Sequence, residues 1–134
     1  MSHSIQPNLE AGGTIRPYRF VKVSTAQDNA GLEADANEVA VGVSAGSTRQ
    51  FDSANHAEDG DHITLQMGSI VNVLCAGTIT RGGLVESNAD GSAVATTASG
   101  TANRQSCGIA LESGASGTVI RLLWKPSVTR YALS

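Results

Sequence analysis

Apolar residues fall along this chain in short runs that alternate with polar ones and stop at glycine, aspartate, asparagine and serine. Val39-Ala40-Val41-Gly42-Val43, Ile63-Thr64-Leu65-Gln66-Met67 and Ile70-Val71-Asn72-Val73-Leu74 are β-branched runs of strand length, and Thr14 to Val23 interleaves Ile, Tyr, Phe and Val with polar residues. Because successive side chains of a strand point to opposite faces, such alternation predicts half-buried strands. Leu84-Val85, Ala93 to Thr96, Ile109-Ala110-Leu111 and Thr118 to Trp124 continue the pattern. Between them stand turn sequences: Asp28 to Gly31, Glu58 to Asp61, Arg81-Gly82-Gly83, Ala89 to Ser92 and Ser113 to Gly117. Helical spacing is confined to Gly31 to Asn37, long enough for one turn or two. The prediction is a mainly β chain with little helix, folded as a small barrel or sandwich.

The chain also repeats itself. Ser4 to Gly12 aligns with Ser69 to Gly77 and, with Gly13 dropped, Thr14-Ile15 aligns with Thr78-Ile79, giving seven identities in eleven positions. Phe20-Val21 faces Leu84-Val85 at a spacing of 64, and Val41-Gly42-Val43-Ser44 faces Cys107-Gly108-Ile109-Ala110 at 66. Two pseudo-repeated halves, about 4–68 and 69–125, are therefore expected to close around one shared core. Residues 1–8 read as an N-terminal arm, 9–125 as a single β domain, and 126–134 as a tail that begins at the break imposed by Pro126.

Composition narrows the function classes. Alanine, glycine, serine and threonine supply 59 of 134 residues, while charged residues supply 16%, against about a quarter in typical soluble proteins. A net charge of -3 gives no electrostatic drive toward nucleic acid or an anionic membrane, and neither is expected as a partner. No apolar run approaches the ~18 residues of a membrane-spanning helix, and Met1 to Pro7 lacks the basic and apolar regions of a secretory signal. Cys75 and Cys107 each sit in an apolar run without a Cys-x-x-Cys partner. They read as small buried thiols of a chain made in a reducing cytoplasm.

Candidate chemistry is sparse. Asp52, His56, Glu58, Asp59, Asp61 and His62 crowd one glycine-containing loop, but the six-residue histidine spacing fits neither a zinc nor an EF-hand pattern, and a solvated turn accounts for it. Gly-x-Ser-x-Gly elbows and glycine-rich phosphate loops are missing. No catalytic, cofactor-binding or metal-binding residue is assigned, and no cofactor is expected. Trp124 ends an apolar strand and reads as packing. Arginine outnumbers lysine seven to two, and arginine is the cation enriched at protein interfaces. Arg16, Tyr18 and Arg19, in the run Arg16-Pro17-Tyr18-Arg19-Phe20, form the best candidate for a partner-facing patch.

Ala11-Gly12-Gly13-Thr14-Ile15, Arg19 to Lys22 and Val41 to Ser44, followed by Ala76 to Ile79, Arg81 to Val85, Cys107 to Glu112 and Gly117 to Arg121, give the chain a recognisable grammar. Over roughly residues 5 to 124 it resembles the small decoration, or cement, proteins of tailed-bacteriophage capsids. The resemblance implies a β-tulip-like fold similar to lambda-type head decoration proteins, and homo-oligomers, most often trimers. It also implies a place on the outer surface of the virion head, where such proteins clamp neighbouring major capsid subunits after synthesis in the host cytoplasm. By the same resemblance an N-terminal arm, with Ser4, Ile5, Gln6 and Asn8, would add a strand to the capsid. Two other readings remain: a carbohydrate- or receptor-binding β module on a virion surface, which would need exposed aromatics, and a metal-dependent hydrolase using the His56 to His62 loop.

Overall fold

A computed structural model describes residues 9–45, 57–66, 68–96 and 104–129. Among these residues ten strands follow one another: β1 (Leu9–Ala11), β2 (Phe20–Val23), β3 (Ala30–Glu33), β4 (Gly42–Val43), β5 (His62–Ile63), β6 (Ile70–Leu74), β7 (Leu84–Ser87), β8 (Ala93–Ala95), β9 (Arg104–Ala110) and β10 (Val119–Thr129). Among the described residues there is no helix. The first five strands make one sheet, ordered β4-β2-β3-β1-β5, and the last five another, ordered β6-β10-β9-β7-β8. Single bridges, Ser44 with Leu65 and Cys75 with Ala93, bring the outer strands of each sheet toward each other and curl it into a small barrel. The mainly β architecture is the one the alternation predicts.

The registers of the two sheets coincide. Phe20 lies opposite Val43 and Val21 opposite Gly42 across β2 and β4; Leu84 lies opposite Ile109 and Val85 opposite Gly108 across β7 and β9. Leu9 faces Ile63 and Glu10 faces His62, as Val73 faces Ile120 and Leu74 faces Val119. The bridge of Ile15 to Ala57 has its counterpart in Ile79 to Gly114. Even the tight turns match, with Gly60 at φ 91° and Gly117 at φ 90°, the left-handed region that glycine enters without steric cost. These registers set Ala11 at the position of Cys75, one residue away from the alignment that the Ala-Gly dipeptides suggest. Recurrent small residues make that dipeptide a poor ruler.

Three expectations about elements are revised. Thr14 to Val23 is not one strand: Tyr18 takes φ 60° and bends the chain, so β2 starts only at Phe20. Gly31 to Asn37 is not helical. Gly31 lies in β3, where a Cβ would come within 2.9 Å of Val21 Cγ1 and 3.0 Å of Ile63 Cδ1, so the chain runs straight through a packed interior. Finally, Pro126 does not end β10. The register shifts between Trp124 and Ser127, leaving Lys125 and Pro126 as a bulge, and pairing resumes from Ser127–Ser106 to Thr129–Arg104. Proline has no N–H to offer a ladder, and a bulge is the place in a strand that needs none.

Apolar burial falls into two clusters instead of the single shared core expected. One fills the first barrel with Ala11, Ile15, Val21, Ala57, Ile63 and Leu65. The other fills the second barrel with residues including Val73, Cys75, Ile79, Val85, Ile120 and Leu122, and extends to Phe20, Ala34, Ala40 and Val43 of the first sheet. The second cluster therefore joins the two barrels. Neighbours Phe20 and Val21 point to opposite faces of β2 and serve different clusters, as strand alternation requires.

Candidate interaction surfaces

At the junction of the barrels the backbone of Tyr18 to Phe20 enters the second sheet like a short extra strand. Phe20 donates its N–H to Gly91 O at 2.7 Å, and Tyr18 O accepts from Leu74 N at 3.0 Å. The two corresponding groups of the first sheet bond each other directly, Glu10 N to Asn29 O at 2.8 Å. The inserted segment thus occupies a slot between β6 and β8. Gly91, at φ 79°, fits there because a Cβ would lie 3.0 Å from Phe20 O and 3.2 Å from Arg19 Cβ. The Phe20 ring rests 6.3 Å from that of Trp124, tilted by 35°.

The slot decides the roles of Arg16, Tyr18 and Arg19. Arg19 is buried, its Nη1 at 3.1 Å from Asp90 O and 3.3 Å from Asp90 Oδ2; its backbone N–H is held by the Ser44 hydroxyl at 3.0 Å. Arg19 Nε is buried without a hydrogen-bond partner. Burial works to raise the Asp90 pKa, but the hydroxyl and amide of Ser92 together with Arg19 outweigh it and the carboxyl ends below its ordinary value. Arg16 grips Glu33 through Nε at 2.9 Å and Nη2 at 2.8 Å, and the bond to Glu33 holds its guanidinium more firmly protonated. Tyr18 is half-buried. Ser4, Ile5, Gln6 and Asn8 lie outside the described residues.

A second polar tie was not foreseen from the sequence. Glu86, whose side chain is 3% exposed, pairs with Arg104 and accepts from Asn37 Nδ2 at 3.1 Å. The same Asn37 amide group reaches the backbone of Gln105, donating to its O at 3.3 Å and accepting from its N at 3.3 Å. Asn37 stands at φ 57°, a left-handed conformation that asparagine tolerates. Glutamate in the run Leu-Val-Glu-Ser reads as the solvent face of a strand; only the docking of the first sheet reveals it as interior.

On the surface of the first barrel an open groove of about 620 Å³ is lined by Lys22, Val23, Leu32, Asn37, Glu38, Val39 and Val41, among others, and so abuts the junction at Asn37. Val23, Val39 and Val41 are large apolar side chains left in water, 49%, 63% and 43% exposed. Lys22 Nζ lies 2.8 Å from Asp35 Oδ2 and 2.9 Å from Glu38 Oε1 at its edge. The bond to Lys22 pulls the Asp35 carboxyl below its ordinary value.

Candidate reactive groups among the described residues are chiefly buried or occupied. Cys75 and Cys107 are free and buried. Burial pushes both thiols up, Cys107 to about 12, so neither forms a thiolate at neutral pH. Of the crowded acidic loop, Asp52 and His56 lie outside the described residues; Asp61 Oδ2 is occupied at 2.8 Å by the Glu58 N–H. Among the described residues no three His, Cys, Asp or Glu side chains converge as metal ligands. Phe20 is buried and Trp124 packs against it, so these two aromatics do not form an exposed sugar platform.

No family model matches the chain, and no curated protein does. Among solved structures, the N base of head fiber gp8.5 in bacteriophage phi29 is similar to it, with a TM-score of 0.65 and 20% identity, over 88% of this chain and 91% of that one. At that identity the likeness establishes the fold: nearly the whole of this chain is built as that fiber base is built.

Proposed function

We propose that this chain is a non-enzymatic structural protein of a tailed-phage head, bound to the outer surface of the virion, where it holds neighbouring major capsid subunits together. The single observation that carries the reading is the end-to-end fold likeness to the base of a phage head fiber. The composition supports it: surfaces rich in Ser, Thr, Gly and Ala surrender little side-chain entropy on docking. In this reading the protein works as a homo-oligomer, a trimer, so that several weak contacts act together. The arm of residues 1–8, through Ser4, Ile5, Gln6 and Asn8, adds to the capsid surface. Arg16 and Tyr18 contribute contacts beside it, and Arg19 holds the bend that presents them.

The test is cosedimentation of purified protein with heads of the phage that encodes it, stripped of their own copy. Saturable binding at a fixed ratio to the major capsid protein is expected, and deletion of residues 2–8 should weaken it at least about tenfold, about 1.4 kcal/mol. Heads that neither retain the protein nor gain resistance to heat in its presence would overturn the reading.

A further inference from the structure

Equivalent positions of the two sheets differ in what covers them. Phe20 and Val43, opposite each other on β2 and β4, are fully buried because the second barrel lies over them. Leu84 and Ile109 hold the same pairing on β7 and β9 and are only half-buried. The complementary positions behave in reverse. Ser87 and Cys107 are buried, and Gln105 is half-buried with its backbone joined to Asn37. Ser87 also receives the first sheet, accepting from Asn37 N at 3.0 Å and bonding Ala34 O at 3.4 Å. Their counterparts in the first sheet are Val23, Val41 and Val39, the three exposed valines of the groove. The chain therefore carries a face built like the one it buries and a groove built like the one that buries it, and both lie open.

We propose that copies of this chain join head to tail, the Leu84–Ile109 face of one seated against the Val23–Val39–Val41 groove of the next. Such a contact uses two different surfaces, so repetition closes a ring or extends a row. Charge is uneven at the groove edge, where Asp35 and Glu38 share the cation Lys22; on the second sheet Arg121 is paired with Glu112 and Arg81 is exposed. Asp28 corresponds to Asp90, the partner of Arg19 within the chain, while the face carries Gly83 where the internal junction has Arg19, so this one ion pair is not repeated between copies. The backbone slot is not repeated, since Glu10 N and Asn29 O already bond each other. The contact between copies is made by side chains, with valines where the internal junction uses Ser87 and Gln105.

This inference rests on the self-association proposed above and not on capsid binding. It is tested with two arginine variants, Val39→Arg in the groove and Ile109→Arg on the face, followed by light scattering after size exclusion. Wild type is expected to assemble, and each variant alone to be a monomer, its dissociation constant raised about 100-fold by an unpaired charge in an apolar contact. A 1:1 mixture then recovers one good junction per pair, the intact face of the first entering the intact groove of the second, and runs as a dimer. Leu111→Arg replaces Ile109→Arg if the latter loses its cooperative thermal transition. A wild type that stays monomeric at about 100 μM, variants that still assemble, or a mixture that stays monomeric would each overturn the proposal. Head binding by the monomeric variants is measured separately: assembly without head binding removes the capsid reading alone, and head binding by a wild type that never assembles removes this one alone.

Discussion

Glu86 and Arg121 show how burial decides the worth of a charge. Glu86 is 3% exposed and its partners Arg104 and Asn37 come from β9 and from the loop after β3. Removing it leaves a guanidinium and an amide facing each other inside the junction. Glu86→Ala should therefore cost about 3 kcal/mol, read as a lower urea midpoint with an unchanged slope. The Arg121–Glu112 pair is equally well formed at 3.0 Å, but its side chains are 62% and 42% exposed. Solvent screens such a pair, and Arg121→Ala should move the same midpoint by less than about 0.5 kcal/mol. Equal losses in the two variants would show that the junction network is no tighter than the surface. Nothing in the local sequence separates these two glutamates, because Glu86 owes its burial to residues some fifty positions away in the chain.

At the scale of the element, the glycines of β9 and of the loop after β6 make a controlled pair. Gly108 sits opposite Trp124, where a Cβ would fall 2.0 Å from Leu123 O and 3.0 Å from Leu123 C. Backbone cannot swing aside as a side chain can, so Gly108→Ala should cost about 3 kcal/mol or split β9 from β10. Gly77 has nothing within 4 Å of its would-be Cβ. Gly77→Ala should leave stability unchanged or raise it by about 0.5 kcal/mol, and thermal unfolding of both variants distinguishes the cases. Elements whose burial alternates were legible in advance: β6, Ile70 to Leu74, has the bounds its pattern predicts. Elements governed by the junction were not. Phe20 extends an apparent strand back to Thr14 only while Tyr18 is assumed to be extended, and Tyr18 is bent by the slot it enters. Proline at 126 reads as an ending unless a bulge is allowed for, and a bulge leaves no mark in the sequence.

The two barrels share the cluster that holds Phe20 and Val43, so the molecule should unfold as one body. Trp124, on β10, packs at the junction against Phe20, while Val21 is buried in the first barrel. Val21→Ala, worth about 2 kcal/mol, is expected to lower the midpoint seen by Trp124 fluorescence as much as that seen by far-UV circular dichroism. A tryptophan transition that stays in place would mean two independent units. At this scale the sequence was informative about kind and vague about arrangement. The runs Val41-Gly42-Val43-Ser44 and Cys107-Gly108-Ile109-Ala110, read as repeats of each other, supply Gly42–Val43 as pairing partners to β2 and Gly108–Ile109 to β7. The patch expected of Arg16 to Arg19 is largely committed to Glu33 and Asp90, while the exposed valines stand out only once the fold removes other apolar side chains from water.

The burial of Phe20 and Val43 in a cluster shared with the second barrel also has a consequence in time. A ribosome releases the first barrel while the residues that shelter its greasy side are still unsynthesised. At about 5 to 20 residues per second the roughly sixty residues from Gln66 to Trp124 require about 3 to 12 s. For those seconds the nascent chain presents an unshielded apolar flank to its surroundings, and a holdase chaperone that covers it would raise the yield of folded protein.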